Sequence, residues 1–160
     1  MKFRQKVRRA INFGLSTKAA APADLRVGAS VVLKRWSALT GKLNEANDPS
    51  SFYNFALNHM DELGLRGVLV TSQHGPSAFG LWEPPLTHGQ PASSFVSITA
   101  DRQAGASEFL HLSLAHAARD EGYRELCIGG SEEESLDQFK RKMDPVRSLS
   151  MLSAVWLGRC

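Results

Sequence analysis

The densest chemistry in the chain lies in Arg102-Gln103-Ala104-Gly105-Ala106-Ser107, where small residues are framed by a guanidinium, a carboxamide and a hydroxyl. They follow an alternating segment, Phe95-Val96-Ser97-Ile98-Thr99. They open a stretch of helical periodicity from Ser107 to Glu121, with Ser107 as the expected N-cap, Glu108 just after it and Gly122 as the stop. At the carboxyl end of a strand, a turn of this composition lets backbone N–H groups and the helix dipole hold an anion. The histidines do not compete: His74, His88, His111 and His116 lack the spacing of a metal site or nucleophile triad, and His59 reads as an edge-of-core residue. Cys127 and Cys160 have no metal-ligand neighbours, so no metal is implied.

Charge also points to anions, because it is unevenly divided. Residues 1–50 hold ten Lys and Arg against Asp24, Glu45 and Asp48, a net +7, while the whole chain of 160 residues carries +3. A basic arm on a mildly acidic body suits a polyanion such as a nucleic acid, or an anionic membrane surface. Its first fifteen residues, MKFRQKVRRAINFGL, space Phe3, Val7, Ile11 and Leu15 four apart. They predict a short amphipathic helix on which Lys2, Arg4, Lys6, Arg8 and Arg9 meet phosphates or acidic lipid headgroups or simply face water, an organelle-targeting peptide being a further option. No apolar run approaches a membrane span, the N-terminus lacks the apolar segment of a secretory signal, and the two cysteines suggest no disulfide framework. A cytoplasmic setting is therefore expected.

The elements that must position the turn follow from periodicity. Ser16 to Gly28 is small, polar and Pro-containing and reads as a linker. It divides the chain into a basic helix with linker (1–28) and a single α/β domain (29–160). Helices are expected over Ala29–Leu43 and Ser51–Leu63, the second with Phe52, Phe55, Ala56, His59, Met60 and Leu63 on one face. Arg66–Ser72 and Ser77–Glu83 form an antiparallel hairpin across Gln73-His74-Gly75-Pro76. The alternating strand, the helix from Ser107 and a strand ending at Gly129-Gly130 make a β-α-β unit, so those strands should be parallel neighbours. A short helix over Ser131–Met143 and a last antiparallel strand over Ser148–Leu157 complete a mixed central sheet flanked by helices.

This order of elements resembles the GNAT acyltransferase superfamily from roughly Phe52 to Leu157. The pyrophosphate pattern of that superfamily lies over Arg102 to Ser107, with Ser at its last position. The stretch GASEFLHLSLAHAARDEGYRELCIGGSEEESLDQFKRKMDP is more narrowly similar to the branch of Fem-type peptidoglycan aminoacyltransferases and phosphatidylglycerol lysyltransferases, with Phe139-Lys140 at that branch's Phe-Lys. The resemblance implies amide formation with an aminoacyl-tRNA as donor. Lys140 would then lie near the reacting carbonyl, with Arg141 and Lys142 on tRNA phosphates. No tightly bound cofactor is implied, and acetyl-coenzyme A is the alternative donor.

Acyl transfer to an amine asks mainly for positioning, an oxyanion donor and a proton acceptor. A backbone N–H of the strand Phe95–Thr99 or the Lys140 ammonium would serve the oxyanion. Glu83 and Asp101, at neighbouring strand ends, are the candidate bases; each also reads as a solvated carboxylate. Trp82 and Trp156 read as an acceptor wall or as core. The acceptor would be a small-molecule or peptide amine. A catalytically silent module that binds nucleic acid or membrane through its arm is the reading from a different class.

Overall fold

The computed structural model describes residues 2–18, 22–40, 50–87, 89–100, 103–129 and 134–143. They fall into two compact units, 1–129 and 130–160. The first holds α1 (Phe3–Asn12), β1 (Ser16–Lys18), α2 (Pro22–Thr40), α3 (Ser50–Asn58), β2 (Arg66–Ser72), β3 (Gly75–Glu83), β4 (Ala92–Thr99), α4 (Ala106–Asp120) and β5 (Leu126–Cys127). The five strands run in chain order across one sheet, antiparallel except for the parallel β4–β5 pair. This is the mixed sheet with flanking helices that the periodicity predicts. The second unit is described through α5 (Glu134–Arg141), whose last turn carries Lys140 and Arg141. The expected strand Ser148–Leu157 lies outside the described residues.

Each face of the sheet carries its own core. On one side Leu25, Ala29, Val32 and Leu33 of α2 and Ala56 and Leu57 of α3 meet Leu69, Phe79, Leu81, Val96 and Ile98. On the other, Val7 and Ala10 of α1 and Ala106, Phe109, Leu110 and Leu114 of α4 meet Val68, Val70, Ala78, Trp82 and Ala92. The period-2 alternation of β2 and β3 sends neighbouring side chains to opposite layers. Two glycines let the helices close in. A Cβ on Gly28 would lie 2.4 Å from Leu69 Cδ2, and one on Gly80 would lie 2.7 Å from Leu114 Cδ1.

Three local expectations give way, and one of the two readings of Trp82 holds. Ser16–Gly28 is not a linker: Ser16–Lys18 pairs with Thr71, Val70 and Leu69 as an edge strand, and α2 begins at Pro22. Three polar residues carry no strand signal of their own. Proline at the first helical position, followed by alanine, starts a helix where the composition suggested a loop. Helix α3 ends at Asn58 rather than Leu63, and of its expected face Ala56 and, just past the helix, Met60 are buried, joined by Leu57, while Phe52, Phe55 and Leu63 are exposed. Ser107 is inside α4, whose N-cap is Gly105 at φ +98°, and its Oγ lies 3.4 Å from Thr99 Oγ1. Trp82 is fully buried, edge-on to Tyr123 with ring centroids 5.5 Å apart, and so is core.

Candidate functional site

The turn that leads from β4 into α4 is the centre of the candidate site. Ala106 N–H donates to Gln103 O at 3.2 Å and Phe109 N–H to Gly105 O at 2.8 Å, closing the turn into the first turn of the helix. Gln103 is half-buried, and its Oε1 is buried with no hydrogen-bond partner. Ala104 is exposed, Gly105 and Ala106 are buried, and Ser107 is half-buried. Asp101 and Arg102 lie outside the described residues.

Among the described residues, β4 has an open edge on the side of β5. Its ladder to β5 consists of Ala92 opposite Leu126 and Ser93 opposite Cys127, and from Ser94 to Thr99 no strand lies beside it among the described residues. Across the other edge, Leu81 faces Val96 but Trp82 faces Ser94, so Phe95 is the extra residue of a bulge. The bulge inverts the pleat: Ala92 belongs to the α4 core, whereas Val96 and Ile98 belong to the α2–α3 core. It also leaves Phe95 without a residue opposite it in the β3 ladder. Phe95 itself stacks on exposed Phe52, centroids 5.7 Å apart.

Glu83 ends β3, exposed, opposite Ser93, which in turn faces Cys127. One row across three strands therefore joins Glu83 to the point where β4 and β5 part. At the rise of an extended strand, Thr99 to Phe95 spans about 13 Å, and the Glu83 row lies about 7 Å beyond the bulge.

Helix α1 closes the other side of the turn. A Cβ on Gly105 would lie 2.1 Å from Lys6 O, so the two backbones touch. Lys6 Nζ is 2.6 Å from Oε1 of Glu108, a carboxylate whose side chain is only 5% exposed. Lys6 thus differs from its neighbours: Lys2, Arg4, Arg8 and Arg9 are exposed, and Arg9 covers the Phe13 ring at 5.5 Å. In the second unit, Phe139 and Lys140 are half-buried on α5, while Arg141 and Lys142 are exposed. Among the described residues no cluster of His, Cys, Asp or Glu could hold a metal ion, and no helix is long and apolar enough to cross a membrane.

Sequence reasoning missed two features, the Phe95 bulge and the Lys6–Glu108 pair. The adjacent apolar residues Phe95 and Val96, which break the alternation of ASSFVSIT, are the signal for the first. The second joins residues 102 apart and has no local signal.

Similarity to known proteins lies in the fold. No family model and no curated protein matches the sequence. An aminoglycoside acetyltransferase from an uncultured soil metagenomic sample, solved with sisomicin, is similar over 94% of this chain and 99% of its own at TM-score 0.66 and 13% identity. A GCN5-related N-acetyltransferase from Ralstonia eutropha is among the other matches. The chain has the GNAT fold. A conserved protein of unknown function from Bacteroides thetaiotaomicron is similar over 91% of this chain and 49% of its own, at TM-score 0.75 and 17% identity. The C-terminal domain assigned to a lysylphosphatidylglycerol synthetase from Agrobacterium fabrum matches 89% of this chain and 50% of its own, at TM-score 0.63 and 18% identity. This GNAT-fold chain therefore spans about half the length of these last two.

Proposed function

We propose that the protein transfers an acyl group from a phosphate-bearing donor to an amine. The observation that carries this reading is the open edge of β4 between the glycine turn and the bulge. A pyrophosphate on the N–H groups of the turn would leave, for an extended arm, about 13 Å of strand edge that no described strand pairs. Coenzyme A suits that length, since its arm carries amides able to pair with strand backbone. The carbonyl then arrives beside Phe95, whose N–H, at the bulge in the β3 ladder, is the candidate oxyanion donor. Glu83, on the row just past the bulge, takes through water the proton that the acceptor ammonium sheds to become the attacking amine, and the donor's thiolate leaves as the C–N bond forms. The acceptor is a small polar amine, a class to which the ligand of the similar aminoglycoside acetyltransferase belongs.

Aminoacyl-tRNA is the second reading of the donor, with Lys140 at its carbonyl and Arg141 and Lys142 on its phosphates. The exposed basic residues of α1 favour it, because that helix packs directly on the donor turn. So does the similarity to the lysylphosphatidylglycerol synthetase domain. Incubation with radiolabelled acetyl-coenzyme A or a mixed pool of aminoacyl-tRNAs, each with polyamine and aminoglycoside acceptors, tests both. Amide product from the thioester supports the first reading and from charged tRNA the second; no product from either refutes the transfer reading.

A further inference from the structure

Helix α1 enters the chain well before the donor turn, yet it supplies one wall of it. Its Lys6 touches Gly105 through the backbone and Glu108 through the side chain. Val7 and Ala10 seal the contact against α4. Glu108 is the oddity. A carboxylate in the first turn of a helix favours the helix dipole, but here it is buried within about one helical turn, about 5 Å of rise, of N–H groups suited to a phosphate. Left alone, that charge would repel the anion those groups attract. The Lys6 ammonium cancels it.

We propose that Lys6 is a positioning residue for donor binding: by neutralising Glu108 from a separate helix, it sets the charge beneath the glycine turn and makes α1 part of the donor site. This rests on the acyl-transfer reading for its biological sense, but its physical content is a sign rule for anion affinity. A purely structural ion pair makes either single substitution harmful. A charge-setting pair makes the two substitutions act in opposite directions.

The test is titration calorimetry of coenzyme A and of inorganic pyrophosphate with the wild type, Lys6→Met, Glu108→Gln and the double variant, folding being checked by circular dichroism. Lys6→Met, leaving a bare carboxylate, is expected to weaken binding on the order of tenfold, and Glu108→Gln, leaving a bare ammonium, to tighten it by a similar factor. The double variant should return near the wild type. Should Lys6→Met not fold, a roughly tenfold tighter affinity of Glu108→Gln than of the double variant supports the proposal equally. Weakening in both single variants, no change in either, or no pyrophosphate binding by the wild type overturns it. Binding that follows the sign rule in a protein that transfers no acyl group would uphold this inference and remove the transfer reading alone.

Discussion

Gly105 and Lys6 meet backbone to backbone, with the site of a Cβ on Gly105 only 2.1 Å from the Lys6 carbonyl oxygen. Gly105 also sits at φ +98°, where an L side chain is strained. The donor turn and α1 are therefore one packed object, and the glycine serves the helix contact as much as the ligand. Gly105→Ala should cost about 1–3 kcal/mol. Thermal unfolding should show a fall of several degrees. Hydrogen exchange should show the Val7 and Ala10 amides losing protection as α1 lifts away; retained protection would refute this coupling.

On the same layer, fully buried Leu114 lies over Gly80. Gly80→Ala should destabilise by about 1–3 kcal/mol through overpacking. Leu114→Ala should cost about 2–5 kcal/mol through the cavity it leaves. The double variant should lose less than the two losses combined, because the new methyl fills part of the void. Denaturant titrations of the four proteins measure that coupling.

Glu83 is exposed at the end of its strand, so its contribution to stability is small. Glu83→Gln should leave the unfolding midpoint within the equivalent of about 0.5 kcal/mol. If it accepts the proton, kcat should fall by about 10²–10⁴. Steady-state kinetics beside a melting curve separate these effects, and an unchanged kcat would move the role elsewhere.

The α1 cations discriminate between donors. Arg4 and Arg8 are exposed one turn apart. If they meet tRNA phosphates, the doubly substituted Arg4→Gln/Arg8→Gln protein should show a salt dependence of tRNA affinity shallower by about two in log–log slope. Filter binding between low and moderate salt reads it. An unaltered slope would remove α1 from the tRNA reading.

Much of the fold was legible because its signals are local. The β4-turn-α4-β5 unit was readable from alternating apolar residues, a small-residue turn and a 3.6-residue stripe, each a preference settled within about a dozen residues. The same holds for the β2–β3 hairpin, whose Gly75 sits at φ +95° where the turn was expected. Phe52 and Phe55 show the limit. Helical spacing defined a stripe containing them, yet burial kept only its Ala56 and Met60 and added Leu57, because apolar periodicity does not say which residues of a wide stripe the neighbouring sheet will cover.

The chain by itself determined the order and type of its main elements, the place of the glycine turn and the basic character of α1, since backbone preference and charge are properties of short segments. Only the tertiary structure decided that Ser16–Lys18 is a strand, that β4 bulges at Phe95 and that Lys6 reaches Glu108. Those outcomes depend on contacts between residues far apart in the chain, where the gain comes from backbone pairing, desolvation and charge neutralisation that no isolated segment can express.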